Sequence, residues 1–117
     1  MKKTILELYL SLLENDNMDH FLKDFKQVIN YHDPQEIETG LLKYKERPEK
    51  GIAFLFELPK EKIWTFHTIG MKFPIKISFW NSKKECVYDA GIIKPGVKEI
   101  RSKVPAKYVI EVPVGDN

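Results

Sequence analysis

Apolar positions in the first thirty residues recur at helical spacing. Ile5, Leu8, Tyr9, Leu12 and Leu13 share one stripe, and Thr4 with Glu7 three residues on forms a capping box ahead of it, so the pattern predicts a helix over 4–14. Such a helix packs on its own domain or, as the alternative, contacts a second copy of the chain. From Met18 to Ile29 the residues Phe21, Leu22, Phe25, Val28 and Ile29 again follow helical spacing, although Gln27–Tyr31 serves equally well as a short strand. Asp33-Pro34-Gln35-Glu36 carries an N-cap, a proline at the first helical position and a reciprocal capping glutamate. Gly40 supplies the stop, which leaves a helix of about two turns.

After Gly51 the period changes. Ile52–Phe56 is a continuous apolar run ended by Pro59, the signature of a strand buried on both faces. Ile75–Trp80 alternates at period two, sending Ile75, Ile77 and Phe79 to one side and Trp80 to the other. The polar stretch Asn81–Glu85 and the return Cys86–Ala90 predict a hairpin, with Gly91 as a bulge and Lys94-Pro95-Gly96 as a turn. Tyr108–Val112, closed by Pro113, is the last strand. Short strands separated by turn signals argue for a sandwich or small barrel, mainly β, with one or two helices at the front and α+β overall.

Composition narrows this only a little. The chain has 117 residues, 43% apolar and 31% charged, which suits one globular domain over 1–117, with 1–25 as a helical N-terminal extension. The single cysteine, Cys86, excludes an internal disulfide framework and reads as a small apolar filler. Glu7 interrupts the leucine-rich start and no small-x-small cleavage site follows, so that segment is not read as a leader. With no run long enough to span a bilayer, a cytoplasmic location is expected and a membrane partner is not. The first fifty residues hold 8 basic and 10 acidic side chains and the remainder 11 and 7, the excess gathering between Lys72 and Lys107. Lysines spread across strands and turns in this way are the ordinary solvated surface of a sheet, so nucleic acid is an unlikely partner.

Blocks of this sequence also resemble a known family. Phe66–Ile75 (Phe-His-Thr-Ile-Gly-Met-Lys-Phe-Pro-Ile) is similar to the signature segment of the domain of unknown function family 192. In register with it, Asp33–Leu42 resembles that family's short helix and turn, Gly51–Phe56 its glycine-led buried strand, and Pro105–Gly115 its closing block. The resemblance covers about residues 27–115. It implies a jelly-roll-type β-sandwich, tilts Gln27–Tyr31 toward strand, and brings no established reaction. Where members usually carry an aspartate this chain has Lys76, so an acid role there does not carry over.

Candidate chemistry centres on 64–73, the densest mix of aromatic, glycine and polar residues in a stretch that is not continuous strand. Trp64, His67, Met71 and Phe73 are expected to wall a modest ligand pocket, with Lys72 or Arg101 as the charge at its rim. Gly70 and Pro74 are the structural turn: Pro74 holds Phe73 extended, so the reversal falls at Gly70. His20, His32, His67 and Cys86 have no paired-ligand spacing, and no nucleophile elbow or phosphate loop occurs, so no metal, cofactor or catalytic residue is expected. The leading expectation is a non-enzymatic module for a small molecule or protein partner. The alternatives are a nucleic-acid-binding domain using the basic 72–107 face, or an enzyme whose site is dispersed along the sequence. Glu111 stands between Ile110 and Val112, and Lys76 between Ile75 and Ile77, so both are expected in polar or partly exposed surroundings, with a mutual pair in reach.

Overall fold

The computed structural model describes residues 17–115. The helix expected over 4–14, and the self-association tied to it, lie outside the described residues. The elements are α1 (Met18–Leu22), β1 (Gln27–Tyr31), α2 (Pro34–Thr39), β2 (Ile52–Lys62), β3 (Thr65–Phe66), β4 (Ile75–Trp80), β5 (Cys86–Ile93), β6 (Ile100–Arg101) and β7 (Ala106–Pro113). The protein is thus mainly β with short helices toward the N-terminus, an α+β chain. Five strands form one sheet in the order β1-β2-β7-β4-β5, and β3 pairs with β6 in a separate ribbon.

The stretch 18–31 divides where two local preferences meet. Asn17 caps α1 by accepting the Asp19 amide proton, and the helix is over by Lys23, whose N–H donates to the His20 carbonyl. Val28, Ile29 and Tyr31 are strand formers, and Gln27–Tyr31 lies parallel to Ile52–Phe56. All other pairings in the five-stranded sheet are antiparallel. The parallel edge departs from the all-antiparallel pattern of a jelly roll. Strand β2 also runs beyond Pro59 to Lys62; its register with β7 breaks between Glu57 and Lys62, and in that irregular stretch a residue without an N–H costs the ladder nothing.

The two faces of the sheet bury different things. Phe54, Phe56, Ile77, Phe79 and Val109 point to the larger core, which is closed by α2, Leu41, Met71, Phe73 and the β3–β6 ribbon. Ala53, Trp80 and Ile110 point the other way, under Met18, Phe21 and Phe25. Trp80 is 4% exposed, donates its indole N–H to Ser78 Oγ at 2.9 Å and packs on Phe21, so it is covered by α1 and its following turn. Central strand β7 therefore has no solvent side along its middle. The hairpin β4–β5 turns through Asn81–Glu85 as its polar residues foretold, and Gly91 sits at φ +74° where the β4–β5 register shifts. Cys86, expected as a filler, is exposed at the start of β5, the edge strand of the sheet among the described residues.

Candidate functional site

A cleft of about 210 Å³ opens on the larger-core side of the sheet, between α2 with its following turn and the 64–71 loop. Asp33 starts α2 by accepting the Gln35 and Glu36 amide protons, and Gly40, at φ +53°, ends it. This brings Ile37, Glu38, Thr39 and Leu41 to one wall. The opposite wall is Trp64, Phe66, His67 and Met71, and β2 supplies Phe56 and Leu58 below. Phe66 makes edge-on contacts with Phe56 at 6.2 Å and with Phe79 at 5.9 Å between ring centres.

Thr68 holds the second wall in place. It is 1% exposed, donates its hydroxyl to the Lys94 carbonyl at 2.7 Å and accepts the Val97 amide proton at 2.9 Å. Its own amide donates to the Val97 carbonyl, and its carbonyl accepts from Met71 and Gly96. The loop is thereby tied to the 94–97 turn on both sides. Gly70 has φ +86°, the left-handed geometry that the Phe73-Pro74 restriction demands of it.

Glu111 lines the floor of the cleft. On β7 its neighbours are Phe54 of β2 and Ile77 of β4, both fully buried, and the residue is 6% exposed. It makes no hydrogen bond or ion pair among the described residues. Burial among apolar neighbours pushes its pKa up to about 8, so at neutral pH the carboxyl is mostly protonated. The expectation of polar surroundings for Glu111 fails here. Alternation does separate it from Ile110 and Val112, but on a strand covered on both faces the other side is also core. Lys76 is exposed as expected, yet it pairs in register with Val112 and so faces away from Glu111, which excludes a pair between them.

The structure brings together three of the expected pocket residues: Trp64, His67 and Met71. Trp64 is half-buried and donates its indole N–H to the Lys60 carbonyl, and Lys62 Nζ lies 4.2 Å from its ring centre. His67 is exposed at the rim with Nδ1 accepting the Ile69 amide proton at 3.2 Å. Lys72 and Phe73 are elsewhere. They line a separate hollow of about 410 Å³ with Lys45, Arg47, Pro74 and Val114, and Phe73 is largely core at 5% exposure. The reason is Pro74: it keeps Phe73 extended and carries the chain straight into β4, away from the loop. Arg101 stands opposite Thr65 on the ribbon, exposed and 3.3 Å from Glu99 Oε1, outside the cleft lining. Sequence reasoning missed Glu111, Thr68 and the α2 wall; a lone carboxylate in the closing strand was the available signal for the first.

A wide hollow beside α2 contains Tyr31, His32 and Lys43. Among the described residues no group lies within hydrogen-bond distance of the buried Tyr31 hydroxyl, and burial raises its pKa, with the nearby Lys43 ammonium working against that rise. Lys43 Nζ lies 5.3 Å from the Tyr31 ring centre, over its face. Among the described residues no three His, Cys, Asp or Glu side chains gather in a metal-holding group, and no helix is long and apolar enough to cross a membrane.

The model of the uncharacterized ACR family DUF192 matches residues 17–116. The chain belongs to the DUF192 family. Two solved structures share the fold. A protein of unknown function from Novosphingobium aromaticivorans superposes with a TM-score of 0.67 at 17% identity, over 78% of this chain and 64% of its own. This DUF192 chain thus spans less than two thirds of that protein. A protein from Sinorhizobium meliloti, provisionally described as a transcription regulator, gives a TM-score of 0.60 at 22% identity, over 75% of this chain and 68% of its own. At those identities the likeness is one of fold. No curated protein shows significant similarity to the sequence.

Proposed function

We propose that this DUF192 protein is a small-ligand-binding module whose site is the cleft between α2 and the 64–71 loop. The observation that carries the proposal is Glu111: an ionisable group sunk at the floor of an aromatic cleft, without a partner among the described residues. Burying a carboxyl unpaired works against folding, and a site that retains one has a use for it. The surrounding geometry suits capture: rigid aromatic and sulfur-bearing walls, one acid at the base and a histidine at the rim. At about 210 Å³ the cleft fits a small molecule or a single side chain, not an extended segment. Three of the basic residues of 72–107 are directed to separate places. Lys76 lies on the far face of the sheet, Arg101 is paired with Glu99, and Lys107 donates its ammonium proton to the Leu58 carbonyl.

The test is a small-molecule fragment library screened by NMR, read on the Trp64 indole signal with Trp80→Phe used to assign it. Saturable shifts confined to Trp64, Phe66 and Met71, and weakened by Met71→Ala but not by Lys43→Ala, are the expected result. Hits that map instead to the Tyr31–Lys43 hollow, or no saturable hit at all, would overturn the proposal.

A further inference from the structure

Resting on the cleft reading above, we infer that the ligand group seated against Glu111 is a small organic cation, an alkylammonium or quaternary ammonium. Three features of the cleft converge on this class. Its walls include Phe56, Trp64 and Phe66, and aromatic faces attract ammonium groups through their ring quadrupoles. Trp64 already holds one such group, the Lys62 ammonium 4.2 Å from its ring centre. Among the described residues neither lysine nor arginine lines the cleft, whereas the acids that do are Glu111 at the floor and Glu38 at the α2 wall. A bound cation would also offset the desolvation of an ionised Glu111, which has no charged partner among the described residues.

The alternative chemistry for the same floor is a neutral carboxylic acid donating its proton to an anion or carbonyl oxygen. The two differ in the sign of their pH dependence. Cation binding draws on the ionised carboxylate and strengthens as pH rises through about 8, the pKa to which burial pushes Glu111. Proton donation weakens over the same interval. The charged and titratable groups around Glu111 are few. Among the described residues His67 and Glu38 line the same cleft, Lys62 Nζ lies 4.2 Å from the ring centre of Trp64, and β2 and β4 place Phe54 and Ile77 beside it.

Choline is a suitable probe because its charge does not titrate, and 3,3-dimethylbutan-1-ol is its uncharged isostere. Both are titrated against the full chain at pH 6 and pH 9 and read on the Trp64 and Phe66 NMR signals. Choline is expected to bind more tightly than the isostere at pH 9, and its affinity to rise between the two pH values by as much as about 90-fold, the change in the ionised fraction of a carboxyl with a pKa near 8. Glu111→Gln, which removes the charge and keeps the shape, is expected to abolish that rise. A trimethyllysine peptide compared with its unmodified form separates the two sources of the group: tighter binding than choline assigns it to a protein side chain, weaker binding to a free small molecule. Equal affinity for choline and the isostere at pH 9 overturns the cation class and leaves the cleft as a ligand site. Choline affinity that falls with pH, or no saturable shift by about 10 mM at either pH, overturns it as well. The fragment screen then stands as the separate measure of the cleft itself.

Discussion

Glu111→Gln should make the protein more stable, by an amount that grows with pH. In the folded chain the carboxyl has a pKa of about 8 against an ordinary 4.5, because it is desolvated by the core around Phe54 and Ile77. Between those values the native state holds a proton that the unfolded state has released. Stability is therefore highest below about pH 4.5, as far as this group is concerned, falls as pH rises toward 8, and levels off above it. At about 1.36 kcal/mol per pH unit the full loss is on the order of 5 kcal/mol, an upper bound because the cleft admits water to the carboxyl. Glutamine is uncharged throughout and leaves no such slope. The assay is urea unfolding followed by tryptophan fluorescence at pH 5, 7 and 9 for both proteins, with the difference between them isolating residue 111 from every other titration. We expect the variant's advantage over the parent to widen by about 2–4 kcal/mol from pH 5 to pH 9, part of the full loss falling below pH 5. A difference that stays constant to within about 0.5 kcal/mol would refute the reasoning, for it would mean that Glu111 is solvated or paired.

Other perturbations test the loop that forms the second wall. Gly70→Ala should destabilise the protein by about 1 kcal/mol or more, because alanine resists φ +86°; its added methyl group would meet only the mobile end of Leu42, 3.2 Å away. Equilibrium unfolding with no loss would place the strain elsewhere. Thr68→Val removes two buried hydrogen bonds, to Lys94 and from Val97, and should cost about 2–3 kcal/mol, with faster amide exchange at Val97. His67→Ala should cost less than about 1 kcal/mol, since the ring is exposed and accepts one amide proton, yet weaken choline binding at pH 9; the opposite pattern marks a structural histidine. Binding to duplex DNA should disappear near physiological salt without a saturable site, as checked by anisotropy across a salt series; tight binding that persists there would restore the basic face as an interface.

Most of the local architecture was legible in the residues themselves. Asp33-Pro34, Gly40, the 81–85 turn and Gly91 each act through backbone geometry set by one or two residues, and each is found where it was expected. The division of 18–31 into α1 and β1 was not legible from periodicity alone, because Val28 and Ile29 satisfy both periods. Pairing with Ile52–Phe56 decided it. The cleft was half visible: Trp64, His67 and Met71 lie within one short segment whose composition marks it, and a loop brings near neighbours together wherever it lies.

Side chains that meet across the sheet were beyond sequence pattern. Alternation along a strand assigns residues to two sides and says nothing of what covers each side. Glu111 was placed correctly opposite Ile110 and wrongly in polar surroundings, since α1 covers one face of β7 while Leu41, Met71 and the ribbon close the core on the other. Phe73 and Arg101 show the same limit from the other direction: their residue types suited a pocket, but the direction of the chain after Pro74 and the pairing of β6 carried them away from it. What the chain determines alone is where it bends, caps and extends, because those are energies of neighbouring residues. Which buried group lies at the floor of a cleft depends on strands distant in sequence, and only their packing settled it.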